Sequence, residues 1–485
     1  MSSLKWLLSL PLAFLFRALL RHPKYLAVIP LIVPGALLKR IGGKSRCLGY
    51  GYHLLQNDDP EGAWRWLRLA LQIGRPSIDD YLLGANCLYN GLGRFNDAMA
   101  LLAQSNKDGE SDIKTLGLEN VTTRVLDSIW VRHIGHCAQL DYVIKLGILE
   151  GRSKDDTILY VPPGTKVANP YLLGLISEHI RVVRRPEDLP FDEAAVQPLH
   201  YDLLGPRLPD GTTAYIWDIG GETYNRWHAA ARRPLLTLPR ETADRGFEAL
   251  ARAGMPGDGW FVALHVREGK WNGKSAGLHG ILNADIATYT DAIKAVTDRG
   301  GWVIRMGDPD MTRLPDMPRV FDYCHSDLRS DWMDVFIASQ CRFMIGTSSG
   351  PAYLPTLFGV PSVLTNWWPP AQPPWQNSDI FVPKALKRAK DGGYLTLGET
   401  LREPVSFCHS FNYLAKLGLL VEDNDADTIR CAVTEMLERL EGTAKPDPDV
   451  ARLREKAANI YQTHAVFCMS QLSAEYLSRH RELIV

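Results

Sequence analysis

Trp260-Phe261-Val262-Ala263-Leu264-His265-Val266-Arg267-Glu268-Gly269 is an apolar run of strand length that ends in alternating His and Arg and opens into a glycine-bearing loop. Similar runs follow at Trp302 to Met306, Arg342 to Ile345 and Ser362 to Thr365. Helical patterns lie between them near Asp285 to Arg299, Asp331 to Ser339 and Pro351 to Phe358. Short β-rich runs alternating with helices of about 10 to 15 residues are the signal for βαβ units and a parallel sheet. An earlier stretch has the same texture, with strands expected at Trp130 to His136, Thr157 to Val161 and Ile180 to Val183, and helices at Ala138 to Leu149 and Pro170 to His179. The fold class is therefore α/β, with two Rossmann-like halves facing a crevice. An irregular Pro- and Trp-bearing stretch, Leu189 to Pro239, joins them. In open α/β sheets ligands bind beyond the C-terminal ends of the strands, which is where chemistry is expected.

Three strand ends carry candidate residues. Period-two alternation puts His265 and Arg267 on one face. An Arg opening into a crevice can grip a diphosphate bidentately, which a lysine does less well. The competing reading is a structural ion pair of Arg267 with Glu268 or Asp308. In Phe343-Met344-Ile345-Gly346-Thr347-Ser348-Ser349-Gly350-Pro351-Ala352 a strand runs into a small, hydroxyl-rich turn and then a helix start. Thr347, Ser348, Ser349 and Gly350 suit close approach of a phosphate there, against the plainer reading of a serine N-cap. In Trp302-Val303-Ile304-Arg305-Met306-Gly307-Asp308-Pro309-Asp310, Arg305 and Asp308 are candidates for a base or ribose. The Asp-x-Asp of this turn recurs at Asp423 to Asp425 and at Asp447 to Asp449, and no metal is assigned to it.

In the first half, His133-Ile134-Gly135-His136 precedes a helix, and His136 is the candidate general base, imidazole having an ordinary pKa suited to proton transfer. A capping or packed histidine is the alternative. Trp367, Trp368 and Trp375 lie among prolines just after a strand, placed either to stack on a base or sugar or to form a rigid packed loop.

The N-terminus is chemically distinct. Residues 1–57 contain eight basic and no acidic residues, and the remaining 428 carry 46 basic against 55 acidic groups, a net −9. Two apolar runs, Trp6 to Leu20 and Tyr25 to Leu38, are each shorter than the ~20 residues a helix needs to cross a bilayer. Pro11, Pro30 and Pro34 interrupt them, which predicts a head lying on or in the membrane surface at the cytoplasmic face of the inner membrane, its cations on anionic headgroups. A tilted span and a cleaved signal are the other readings of the same stretch. From Asp59 to Gln104 apolar residues recur at helical spacing, and Leu92-Gly93-Arg94-Phe95-Asn96-Asp97-Ala98 looks like a junction between helices of a tetratricopeptide repeat. Such a segment serves as a spacer between membrane and body or as a surface for a protein partner. The division expected is 1–46 head, 47–116 TPR-like helices, 117–239 N-terminal acceptor domain, 240–410 C-terminal nucleotide-sugar domain and 411–485 C-terminal helices.

Composition narrows the classes. With 46% hydrophobic and 22% charged residues the chain is neither disordered nor a multi-span transporter. Its 54 basic against 55 acidic residues remove the cationic excess of a nucleic-acid binder. Eight scattered cysteines without a CxxC pair argue against a disulfide framework or a structural zinc site.

The motifs at Leu264 to Arg267, Gly300 to Gly307 and Arg342 to Gly350, with Ile134-Gly135-His136 and Ala168-Asn169, resemble those of a bacterial group of glycosyltransferases over roughly residues 120 to 410. The His-x-Arg element also resembles the donor site of the fucosyltransferase-like superfamily of GT-B enzymes. That resemblance implies a GT-B fold and an Arg267 that contacts the β-phosphate of a nucleotide sugar without a metal or other cofactor, with Ser348 and Ser349 in support. Where the group carries an Arg-Asn pair, this chain has Leu282-Asn283. The expected activity is transfer of a sugar from a nucleotide-diphosphate donor to a lipid-linked or envelope glycan acceptor, inverting in type. A nucleotide-binding membrane scaffold without turnover and a nucleotide-sugar epimerase of the same shape are the other classes that fit. The head reading makes a direct prediction: the full chain sediments with liposomes containing anionic lipid, and a chain lacking residues 1–46 stays in the supernatant.

Overall fold

The computed structural model describes residues 43–271, 274–275 and 277–485, so the two apolar runs of the head lie outside the described residues. Among the described residues no helix is long and apolar enough to cross a membrane. The chain enters on helix α1 (Gly43–Gln56), so the expected boundary at 46/47 falls inside a helix. Lys44, counted above among the lipid-facing cations, is instead paired with Asp80 at 2.5 Å.

Local chemistry sets the next helices. Asp59 accepts from Gly62 N at 3.1 Å and Pro60 occupies the first turn, starting α2 (Pro60–Leu71). Ser77 and Asp80 close a reciprocal capping box on α3 (Ile78–Asn86). Gly93, at φ +61°, turns the chain into α4 (Phe95–Thr115). These helices pack on both α/β halves. Asn96 N donates to Glu403 (2.8 Å), Lys416 pairs with Glu61 (2.7 Å), and the Tyr89 and Tyr215 hydroxyls meet at Gln372. The segment is thus a docked buttress of the α/β body.

The first half holds a three-stranded parallel sheet in the order β1 (Arg124–Leu126), β2 (Thr157–Tyr160), β3 (Arg181–Val183). The expected strand at Trp130 to His136 is helical instead: α5 (Ile129–Arg132), a break at His133 with φ −127° and ψ 141°, then α6 (Ile134–Leu149). Asp127 initiates this turn by accepting from Ile129 N at 2.9 Å. The apolar run there buries Trp130 and Val131 on a helix, a case that apolarity alone does not separate from a strand. The helix expected from Pro170 is α7 (Pro170–Ile176), capped by Asn169. The stretch read as irregular contains a 14-residue helix, α8 (Ile216–Ala229).

The second half is built on a seven-stranded parallel sheet. In chain order its strands are β4 (Phe261–His265), β5 (Trp302–Arg305), β6 (Val320–Phe321), β7 (Met344–Gly346), β8 (Ser362–Trp367), β9 (Ile380–Pro383) and β10 (Gln471–Leu472). Across the sheet they stand β10-β9-β8-β7-β4-β5-β6. Register aligns the ends that matter, with His265 opposite Gly346, Leu264 opposite Arg305, and Leu364 opposite Gly346. Every residue of β4 and of β8 is buried, as a parallel sheet covered on both faces requires. The C-terminal residues are not a separate appendage, since β10 completes the sheet edge against β9.

The halves meet at small residues. A Cβ on Gly350 would lie 2.5 Å from Ile134 Cγ2 and 2.8 Å from Gly135 N, so the turn after β7 sits directly on the start of α6. Gly93 is as tightly held, because a Cβ there would fall 1.7 Å from the Pro404 carbonyl oxygen at a positive φ. Gly93→Ala therefore destabilises the protein by about 2 to 3 kcal/mol, the scale of overpacking against backbone. Urea unfolding is the check, and a variant as stable as the parent would contradict the docking of this segment.

Candidate active site

Beyond the C-terminal end of β4 the chain places His265 and Arg267 as the alternation predicts. His265 is buried and its Nδ1 lies 3.0 Å from Ser349 Oγ. Arg267 N donates to Thr347 Oγ1 at 3.0 Å, Thr347 N donates to the His265 carbonyl at 3.2 Å, and Trp368 N donates to Ser348 Oγ at 2.7 Å. The Thr347-Ser348-Ser349 hydroxyls are thus each engaged with protein partners, and they brace the strand end. The element that follows is one short 3-10 turn, Gly350–Tyr353, and a four-residue helix, with no side-chain cap bond from Ser349. This is shorter than the helix expected at Pro351 to Phe358, and the plain serine-cap reading does not hold for Ser349.

The two strand-end arginines part company. Arg305 has no exposed surface; it donates to Glu268 at 2.9 Å and to the Thr312 carbonyl, and stands 3.8 Å from Asp322. It has no face for a base or ribose, and Asp308 serves its own turn by accepting from Asp310 N at 3.1 Å. Glu268, offered above as a partner for Arg267, is taken by Arg305. The Arg267 guanidinium is half-buried and, among the described residues, has neither an ion pair nor a hydrogen bond; burial holds its pKa below the ordinary value.

Around Arg267 stands a group of histidines. Its positive charge depresses the pKa values of His265, His279 and His409, in each case added to the larger effect of burial, and His133 acts on His279 in the same way. His279 and His409 face each other with Nδ1 atoms 3.2 Å apart. His409 is 7% exposed and its Nε2 has no hydrogen-bond partner among the described residues. His133 and His136 stack edge to face at 5.2 Å. His136 Nδ1 lies 3.1 Å from the Ile129 carbonyl, which only accepts, so Nδ1 carries the proton and Nε2 keeps a lone pair. Burial pushes the His136 pKa down to about 4, so the imidazole is neutral at pH 7. The sequence reading named His265, Arg267 and His136 as candidates and did not name His279 and His409. Their one sequence signal is histidine in otherwise apolar loop positions.

Both histidine loops rest on the buttress helices. His409 N donates to the Asn90 carbonyl at 2.6 Å, a Cβ on Gly277 would lie 2.4 Å from the Gln56 carbonyl oxygen, and Leu278 packs with Leu55, Ala63, Leu67 and Cys87. Trp367 ends β8, Trp368 and Trp375 lie in the loop that follows, and all three are buried. The Trp367 and Trp368 indoles donate to the Gln372 and Cys408 carbonyls, and Trp375 packs on Trp217, so the packed-loop reading describes them. One trio of metal-ligand types converges among the described residues, Asp322, Cys324 and His325. Its atoms bond one another and the carbonyls of Pro309 and Met311, and the cation beside the carboxylate is Arg305.

No family model matches the chain, and no curated protein matches it in sequence. Among solved structures it is similar to the dodecameric iron-containing heptosyltransferase TibC in complex with ADP-D-β-D-heptose, at 12% identity over 63% of this chain and 74% of that one, with a TM-score of 0.35. TibC from enterotoxigenic E. coli gives 12%, 64%, 74% and 0.34. The family 9 glycosyltransferase of Veillonella parvula gives 12%, 50%, 66% and 0.24. Similarity at this level leaves the function to be argued from the chain's own residues.

The buried imidazoles set a pH dependence. Unfolded, they protonate near 6.5, whereas His136, His265 and His279 do so in the native chain only near 4. The unfolded chain therefore binds more protons at these histidines between those values, and their contribution to stability falls as pH drops through 6.5 toward 4, by up to about 1.4 kcal/mol per pH unit for each histidine. Burial pushes Asp218 and Asp334 up to about 6 and Asp379 up to about 8, and these carboxyls oppose the slope in the same range. The check is therefore the difference between parent and His265→Gln: from pH 7 to 5.5 the urea midpoint of the parent loses ground relative to that of the variant.

Proposed function

We propose that the chain is a glycosyltransferase that takes a sugar from a nucleotide-diphosphate donor bound at the C-terminal end of the second sheet. The observation that carries this reading is the Arg267 guanidinium, half-buried just beyond a strand end with no carboxylate partner among the described residues. A buried cation without a counter-charge is costly unless a ligand brings one, and a diphosphate does so bidentately. Sugar transfer from such a donor needs stabilisation of the negative charge that develops on the departing diphosphate. Preorganised donors in a site shielded from water supply that most effectively. Arg267 is the preorganised cation, braced through its own backbone N–H by Thr347. In this reading charge neutralisation needs no metal, in keeping with the resemblance of the His-x-Arg element to fucosyltransferase-like GT-B donor sites.

From the facing half, His136 presents a neutral ring with Nδ1–H held by the Ile129 carbonyl, and its Nε2 lone pair is free in charge and tautomer to accept the acceptor hydroxyl's proton. The turn of Gly350 against Gly135 brings this helix start next to the donor loops. Together with the basic, apolar head, the arrangement suits an acceptor carried at a membrane surface, a lipid-linked or envelope glycan.

The test is binding and product analysis with a panel of ADP-, GDP-, UDP-, TDP- and CMP-sugars. One donor class binds, Arg267→Ala weakens that binding by about 2 to 4 kcal/mol, the cost of truncating one partner of a buried charged contact, and turnover releases nucleoside diphosphate together with a glycoside. Undiminished binding by Arg267→Ala returns that residue to a structural role. An epimerised sugar nucleotide, or binding without turnover, overturns the transferase reading in favour of the epimerase or the scaffold.

A further inference from the structure

The histidine pair beside Arg267 is not accounted for by packing. His279 and His409 come from loops 130 residues apart, yet their Nδ1 atoms meet at 3.2 Å. Nitrogens in that contact share one proton: one ring donates and the other accepts. The outer Nε2 of His409 is buried and has no partner among the described residues. A buried polar atom left unsatisfied is costly, and the fold nevertheless holds it in place, with His409 N donating to the Asn90 carbonyl and Gly277 lying against the Gln56 backbone.

The permanent charge that bears on the pair is Arg267, which acts on both rings; His133, at the start of α6 in the facing half, adds to it on His279 only when protonated. Asp58, on the buttress turn that approaches Cys408 and Ser410, accepts from Asn412 N at 3.0 Å through Oδ2 while its Oδ1 is buried without a partner among the described residues, and Glu268 is committed to Arg305. In the free protein these surroundings keep both rings neutral. An anion arriving at Arg267 reverses the field, because an opposite charge within a few ångströms favours the protonated imidazole.

Building on the reading of Arg267 as a phosphate-binding cation, we infer that His279 and His409 form a proton-loaded clamp for the phosphoryl groups of the ligand: the pair shares one Nδ1 proton when free and takes up a further proton from solvent when the anion binds, so that both outer Nε2 atoms become donors. The ligand class is a diphosphate. The clamp supplies as a proton the second positive charge that Arg267 alone lacks.

Calorimetry of the full chain with inorganic pyrophosphate and with UDP, GDP and ADP, in buffers of differing ionisation enthalpy at pH 7, counts the protons taken up. Ionisation of the ligand itself is common to all proteins and cancels in the comparison with His279→Gln, His409→Gln and the double variant, each checked for native circular dichroism. The expected result is about one proton fewer taken up by each variant than by the parent. As pH falls from 8 to 6 the parent also gains affinity more steeply than these variants do, the difference reaching up to about tenfold per unit. Arg267-dependent binding with equal proton uptake in parent and variants overturns the clamp and leaves the Arg267 reading standing. Binding that Arg267→Ala does not weaken removes the reading on which the clamp rests. If the glutamine variants do not fold, the buffer dependence of the parent decides: binding heats that follow only the ligand's own ionisation overturn the proposal.

Discussion

A cation buried at a strand end without an anion to answer it is the constraint around which the rest of the cleft is arranged. Two arginines end neighbouring strands of one sheet, and one glutamate is available to both. Glu268 turns to Arg305, which is wholly buried and needs it, and the loop of residues 308–325 closes over that pair through Asp322 and His325. Arg267 is left to the crevice. The groups that crowd it are imidazoles, the side chains that tolerate a buried cation by staying neutral and can change state when an anion arrives. The separation of a structural arginine from a ligand-facing one is thus a matter of a single carboxylate's orientation.

The helices that precede the α/β halves take part in the same arrangement. They look modular in sequence, a helical run between a basic head and the catalytic body, but each of their turns is spent on contact. Asn90 and Gly91 offer backbone carbonyls to His409 N and Cys408 Sγ, the Gln56 carbonyl oxygen stands where a Cβ on Gly277 would meet it at 2.4 Å, and Tyr89 shares its hydroxyl with Tyr215 and Gln372. Loop histidines on a Rossmann-like sheet are ordinarily free to move. Here a separate layer of secondary structure holds two of them within hydrogen-bonding distance.

The parallel sheet was legible because β4, β5, β7 and β8 are short apolar runs bounded by turn residues, and buried strands leave that trace. The elements that were not legible have physical causes. The helix read from Ala138 is α6, but α5 and the first turn of α6 were read as a strand because a short buried apolar run carries no period; further along α6 the i,i+4 charges Asp141 and Lys145 form a pair inside the core, where Tyr224 also bonds the carboxylate. β1 and β10 have three and two residues and owe their existence to neighbouring strands. Within the site, alternation was enough to put His265 and Arg267 on one face. Arg305 and Arg267 look alike in sequence, and which of them Glu268 meets is decided by the pairing of Leu264 with Arg305 across the sheet. His279 and His409 were beyond reach, since spacing carries no information about two loops brought together by a third element.

The cysteines add a consequence of a different kind. Six of the eight are buried, and burial pushes the thiols of Cys87 and Cys408 up to about 12, so they are inert as nucleophiles while the fold is closed. Both lie on the seam between the buttress helices and the body: Cys87 Sγ donates to the Pro60 carbonyl, and Cys408 Sγ donates to the Gly91 carbonyl across it. The seam therefore carries its own chemical clock. Thiol labelling at these two positions measures how often the helical layer lifts away, independently of whether the whole chain unfolds.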